Sequence, residues 1–337
     1  MISNCLLSTL RTLRCDKFVA TLNMMVLHGI AVPIQASQVQ EVQYWNGSLA
    51  LSATLLVPER EGTVPCVVII HGSGDSDREN AWTSAYAQAF VDRGIAVLHP
   101  DKRGCGRSGG DWKQASFLDL AGDASAALRF IASHSAIDPT RSGVVGFSQG
   151  SYVASLVVED PLCYFAVSVS GSVRSLKEQM IDEVTLAAIR AGHVPKDDDL
   201  RSLTWIYSAT FAFAHGQGEW RTLQDSVATG RLRGPFLDHA LSSMPLSSDH
   251  WALRWVGHVG DHDPWPHWLR TIKPVVFLFG GRDENVNVPA SMVRIMESND
   301  EKLFRRSALV FGGNGHALFR TDAMDFITRW IIEGGAD

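Results

Sequence analysis

Six short apolar runs recur along this chain, each closed by glycine, proline or polar turn residues: Cys66 to Ile70, Ile95 to Leu98, Gly143 to Phe147, Phe165 to Ser170, Pro274 to Phe279 and Ala308 to Phe311. Apolar runs this short, without polar alternation, belong to strands buried on both faces. Between them lie stretches of helical periodicity: Trp82 to Arg93, Phe117 to Ser133, Gln149 to Glu159, Ala290 to Ser298 and Ala323 to Ile332. Strand and helix therefore alternate, which predicts an α/β fold, a mostly parallel doubly wound sheet with helices on both faces.

Two segments depart from that rhythm. Val42 to Trp45, the pair Asn46-Gly47 and Leu49 to Val57 read as a β-hairpin, because Asn-Gly accepts the positive φ angles of a two-residue turn. Asn46-Gly47-Ser48 is also a glycosylation sequon, which the turn explains without a sugar. Between Gly171 and about Trp268 no strand-like run occurs, while helical segments and six of the ten tryptophans accumulate (Trp205, Trp220, Trp251, Trp255, Trp265, Trp268). This predicts an inserted helical cap. Most of its tryptophans are expected in the insertion's own core, with one or two facing a pocket. The resulting organisation is a first part of the core at 41–171, a cap at 172–268 and a second part of the core at 269–337.

Residues 1–40 stand apart as a signal peptide or a disordered N-terminus. Phe18 to Ile34 is largely apolar, follows Arg11, Arg14 and Lys17, and ends in the small residues Ala36 and Ser37, as an export signal does. Asn23 and His28 interrupt the run, and Met24 or Met25 offers an alternative start. Periplasmic or secreted and cytoplasmic locations both stay open. The run is too short and too interrupted for a membrane span.

Charge and cysteine content narrow the function. A net charge of −6 and a pI near 6.0 provide no basic face for nucleic acid. The five cysteines, Cys5, Cys15, Cys66, Cys105 and Cys163, lack the C-x-x-C spacing of a zinc or dithiol site and read as unpaired structural thiols. Cys105 lies in a glycine-rich loop and is given no role. The sequence carries no signal for an oligomeric state.

The chemistry concentrates after the run Gly143 to Phe147, which leads into Gly146-Phe147-Ser148-Gln149-Gly150 and then a helical stretch. In this strand, turn, helix context G-x-S-x-G lifts a serine hydroxyl above the sheet. Gly106-Arg107-Ser108-Gly109-Gly110 fits the same pattern, but it lies in a loop begun at Pro100 with no helix at Gly109, so Ser108 reads as structural. A serine nucleophile needs an imidazole base held by a carboxylate. Asp283 in Gly280-Gly281-Arg282-Asp283 and His316 in Gly312-Gly313-Asn314-Gly315-His316 each follow a late strand, in the order Ser, Asp, His. Glu284 is the alternative acid. The N–H groups of Gln149, after the nucleophile, and Ser73, in His71-Gly72-Ser73-Gly74, are the candidate oxyanion donors. His258, His262 and His267 match no metal motif, and no metal site is assigned.

These residues, with Asp77-Arg78, Asp101-Lys102-Arg103-Gly104-Cys105-Gly106-Arg107-Ser108 and Asp263-Pro264, resemble bacterial α/β-hydrolase serine esterases, whose relatives include dienelactone hydrolases and the prolyl oligopeptidase catalytic domain. The resemblance runs from about Val42 to the C-terminus and leaves the middle of the cap unmatched. It implies the α/β-hydrolase fold and carboxylic ester hydrolysis, without a cofactor, through Ser148, His316 and Asp283. It also implies loop-stabilising roles for Asp101 and Arg103. A serine nucleophile disfavours the cysteine-using type of dienelactone hydrolase. The cap's apolar content points to a small or medium acyl ester rather than a charged substrate. A thioesterase or peptidase on the same triad and an inactive binding protein are the alternatives.

Overall fold

The computed structural model describes residues 37–297 and 306–334. The export-signal reading of 1–36, and with it Cys5 and Cys15, lies outside the described residues. Strands β1 (Ser37–Asn46) and β2 (Leu49–Pro58) form the N-terminal hairpin. Asn46 pairs with Leu49 across the turn, and Gly47 takes the left-handed φ of 59° that this turn requires.

Six further strands follow: β3 (Val64–Ile70), β4 (Ala96–Pro100), β5 (Ile137–Phe147), β6 (Ala166–Val169), β7 (Val275–Gly280) and β8 (Arg306–Phe311). All eight form one sheet in the order β1-β2-β4-β3-β5-β6-β7-β8. The β1/β2 and β2/β4 pairs are antiparallel, and β4 through β8 run parallel. After β3 the chain steps to one side for β4, then to the other side for β5. The carboxyl ends of β3 and β5 therefore flank a topological switch point, where open α/β sheets place their ligand crevice.

Side-chain alternation explains why β3 shows no polar residues. Val67 and Ile69 point to one face and meet Tyr86 and Phe90 of α1 (Ala81–Val91) and Ile327 and Trp330 of α11 (Thr321–Ile332). Cys66, Val68 and Ile70 point to the other and meet Leu120 and Leu128 of α2 (Phe117–Ala132) and Tyr152 and Val153 of α3 (Gly150–Val157). With helices on both faces, both parities of the strand must be apolar. Ser116 and Asp119 close a capping box at the start of α2, so that helix begins where its orphan N–H groups find acceptors.

β5 begins six residues before its apolar run. Ile137 pairs with Val64, and the register then shifts so that Cys66 faces Ser142. Of the intervening residues, Asp138, Thr140 and Arg141 are polar, Pro139 interrupts them and none is buried, so hydrophobicity alone does not mark this stretch as strand.

Between β6 and β7 the chain forms α4 (Leu176–Arg190), α5 (Asp197–Ala214), α6 (Trp220–Arg231), α7 (Pro235–Ala240), α8 (Trp251–Val259) and α9 (Trp265–Arg270). Leu203, Ile206, Tyr207, Leu223, Phe236 and Leu237 give these helices a core of their own. The tryptophans are distributed differently from the expectation. Trp220 packs against that core, while Trp255, Trp265 and Trp268 join the cluster on the sheet. Their large apolar faces close the seam where the insertion rejoins the sheet, and Trp268 meets Phe277 of β7 edge-on. α10 (Val288–Glu297) precedes β8. Among the described residues no helix is long and apolar enough to cross a membrane.

Candidate active site

Ser148 sits in the turn between β5 and α3 with φ at 50°. Among the described residues only Ser148 and Ser170 have positive φ without being glycine. Such a conformation stores strain and persists because its surroundings enforce it. The Ser148 N–H donates to the Val169 carbonyl at 2.9 Å, tying the turn to β6. The flanking glycines are sterically required: a Cβ on Gly146 would stand 2.5 Å from the Gly150 oxygen, and one on Gly150 would stand 2.3 Å from the Ile70 oxygen.

His316, in the loop after β8, brings Nε2 to 2.9 Å from Ser148 Oγ. Its Nδ1 lies 2.9 and 3.0 Å from the two oxygens of Asp283, in the loop after β7. The Asp283 side chain is wholly buried, and Oδ1 also accepts the N–H groups of Asn285 and Val286, both at 2.9 Å. These bonds fix the carboxylate, and the carboxylate selects the tautomer with the proton on Nδ1, leaving Nε2 to accept from the serine. Glu284, the alternative acid, does something else: its Oε2 accepts the backbone N–H of His316 at 2.9 Å. The Trp82 ring meets the imidazole edge-on with centres 5.5 Å apart. A serine hydroxyl facing an imidazole backed by a buried carboxylate is the arrangement that acyl transfer to serine requires.

The loop after β3 lies against this turn. A Cβ on Gly72 would stand 3.3 Å from the Phe147 oxygen and 3.4 Å from Ser148 Cβ. Among the described residues, the N–H groups of Ser73 and Gln149 donate to no protein acceptor, and both residues border the cavity that exposes Ser148. His71 anchors the loop from below, Nε2 donating to the Pro100 carbonyl at 2.6 Å and Nδ1 accepting from Ser76 Oγ at 3.0 Å. Burial holds this imidazole neutral, pushing it down to about 4.

The cavity above Ser148 has a volume of about 520 Å³. Trp82, Trp112, Tyr152, Trp251 and Trp255 make most of its wall apolar, so two of the insertion's tryptophans face it. Glu183 of α4 contributes a carboxylate to the wall, and among the described residues it has no hydrogen bond or ion pair. The side chain is open to the cavity, yet the surrounding protein desolvates it and raises its carboxyl above the usual range. No sequence pattern marked Glu183, because an acidic residue on an amphipathic helix is ordinarily solvated.

The other candidates lie elsewhere. Ser108 Oγ donates to the Asp101 carbonyl at 2.8 Å and accepts from the Ser52 N–H at 2.9 Å, so it pins a loop and faces no imidazole. Asp101 pairs with Arg78 through two oxygens at 2.9 and 2.7 Å, and Arg103 pairs with Asp123 at 2.8 Å through each of two nitrogens. Cys66, Cys105 and Cys163 are free and buried. His262 and His267 stack with ring centres 5.4 Å apart, and His267 Nδ1 is 3.0 Å from Glu159. Among the described residues no group of three His, Cys, Asp or Glu side chains is placed to hold a metal.

Comparison with known proteins adds a family and a fold. The sequence profile of the alpha/beta hydrolase family matches residues 67–329. The quorum-quenching protein AidA of Acinetobacter baumannii (strain MDR-ZJ06) is 34% identical over 113 residues, 33% of this chain and 36% of that protein. The match thus spans about a third of that relative's length. An esterase of Pyrococcus furiosus superposes with a TM-score of 0.54 at 18% identity, over 88% of this chain and 90% of the other. Proline iminopeptidase of Mycobacterium smegmatis superposes with a TM-score of 0.57 at 15% identity, over 88% and 99%. At these identities the likeness to solved structures is one of fold.

Proposed function

The chain belongs to the alpha/beta hydrolase family, and on that premise we propose that it is a serine hydrolase cleaving carboxylic esters of small to medium acyl groups through an acyl-enzyme. Ser148 Oγ attacks the ester carbonyl carbon as His316 Nε2 takes its proton. Asp283 stabilises the imidazolium that forms, and the Ser73 and Gln149 N–H groups receive the developing oxyanion. The imidazolium then protonates the leaving alkoxide, and the C–O bond to the alcohol breaks. Water, deprotonated by the same imidazole, attacks the acyl-enzyme; the serine leaves with the returned proton and the acid is released.

The observation that carries this reading is the relay of Asp283, His316 and Ser148 at 2.9 Å spacings, with Ser148 and His316 lining the cavity and Asp283 buried behind them. The mostly apolar wall supports an apolar acyl group, and a cavity of about 520 Å³ suits a small or medium one. The test is turnover of p-nitrophenyl esters of increasing acyl length beside the matching thioester and anilide. Best kcat/KM on a short or medium ester supports the reading. Preference for the thioester or the anilide assigns the same machinery to that acyl class instead, and no turnover of any of the three refutes it.

A further inference from the structure

We propose that Lys102 is a positioning residue that aims the Ser73 N–H at the oxyanion and links it to the serine turn. The proposal rests on the ester-hydrolase reading above. Lys102 follows β4 and is buried at 7% exposure. Its ammonium donates to the Gly72 carbonyl at 2.9 Å and the Gly74 carbonyl at 3.1 Å, and reaches Gln149 Oε1 at 3.4 Å. It therefore touches both sides of the candidate oxyanion site, the loop after β3 and the residue after Ser148.

The geometry of one peptide unit supplies the reason. The Gly72 carbonyl and the Ser73 N–H belong to the same planar trans unit and point in opposite directions. An ammonium fixed on that oxygen turns the N–H away from itself, and the charge polarises the unit so that the N–H donates more strongly. The loop has little else to fix this plane, since Gly72, Ser73 and Gly74 are small and Gly74 is left-handed with φ at 76°. The ammonium also stands 4.6 Å from the centre of the Trp112 ring, whose Nε1 donates to Asp75 at 2.7 Å and closes the loop from the other side.

Among the described residues no carboxylate forms an ion pair with Lys102, so the cost of burying its charge is met by carbonyls and an aromatic face. That cost appears in its acidity: burial pushes the ammonium down to about 8, against the opposing influence of Cys105 and Asp75. His71, Cys105 and Asp75 are titratable neighbours of the ammonium; burial pushes His71 down to about 4 and raises the Cys105 thiol.

The experiment compares the full-length wild type with Lys102→Met for kcat and KM on a p-nitrophenyl ester and for affinity toward an alkylboronic acid, which forms a tetrahedral anion on the serine. The expected result is a kcat lower by about 10–100-fold, a boronate affinity lower by a similar factor and a KM within about twofold. A kcat and boronate affinity within about twofold of wild type, whatever the melting temperature, overturns the proposal. Should Lys102→Met fail to fold, the wild type carries the test. Its kcat falls as pH rises through the titration of the ammonium, which burial places below the ordinary lysine value of about 10.5, and a kcat that stays flat up to about pH 10 overturns the proposal. A wild type without Ser148-dependent turnover overturns the ester-hydrolase reading itself, a result distinct from an active wild type matched by Lys102→Met.

Discussion

The single substitution Gly150→Ala separates catalytic geometry from folding stability in the serine turn. The added Cβ would lie 2.3 Å from the Ile70 oxygen, 2.8 Å from the His71 oxygen and 3.0 Å from the Ile70 carbonyl carbon, where ordinary contact begins at 3.4 Å. All three atoms are backbone, so relief comes from moving α3 away from β3 by about 1 Å, the difference between 3.4 and 2.3. That movement carries Ser148 and the Gln149 N–H away from the Ser73 loop, and a displacement of about 1 Å in a reacting constellation costs on the order of 100-fold in rate. Stability changes less, because overpacking of about 1–3 kcal/mol is offset by up to about 1 kcal/mol of helix propensity gained over glycine. The assay pairs kcat on a p-nitrophenyl ester with a thermal melt. Gly312→Ala is the control, since nothing lies within 4 Å of a Cβ there. A Gly150→Ala kcat within about twofold of wild type would refute the reasoning, because the turn would then tolerate a displacement that the account says it does not.

Two further outcomes follow from the same geometry. Ser108→Ala removes a hydroxyl bonded at 2.8 and 2.9 Å to backbone groups of Asp101 and Ser52, so it is expected to cost about 1–3 kcal/mol in urea denaturation while kcat stays near wild type; a kcat loss as large as that of Ser148→Ala would contradict this. His71 and His99 stack with ring centres 5.3 Å apart and are kept neutral by burial, at about 4 and about 3. The unfolded chain protonates both near pH 6.5 and so binds more protons below it; stability that is full above about 6.5 is lost as pH falls toward 3, by about 3 kcal/mol for His71 alone. Urea midpoints between pH 7 and 4.5 should therefore fall less steeply for His99→Phe than for wild type, and equal slopes would count against the pair as the cause.

The parts of this molecule legible in the sequence are those fixed by local rules. Asn46-Gly47 dictates its turn, the buried strands announce themselves as unbroken apolar runs, and Gly146 and Gly150 stand where strand and helix backbones nearly touch. That Ser148, Asp283 and His316 come together was readable because each follows a strand end that the fold places on one rim. What escaped notice depends on contacts between distant segments. Lys102 lies in a charged run whose neighbours Asp101 and Arg103 pair elsewhere, so only the folded loop turns its ammonium toward Gly72. The function of Glu284 as acceptor for the His316 N–H depends on how two loops meet, and identity alone favoured it merely as a second acid. The tryptophans of the insertion were expected in its core because composition does not show which side of a helix meets the sheet.

The most direct test of the central claim is reaction of the native protein with a fluorophosphonate, followed by mass spectrometric mapping of the modified peptide in the wild type, Ser148→Ala and Ser108→Ala. The account predicts one adduct on Ser148 in the wild type and in Ser108→Ala, and none in folded Ser148→Ala. An adduct that persists in Ser148→Ala, or that maps to Ser108, would contradict it.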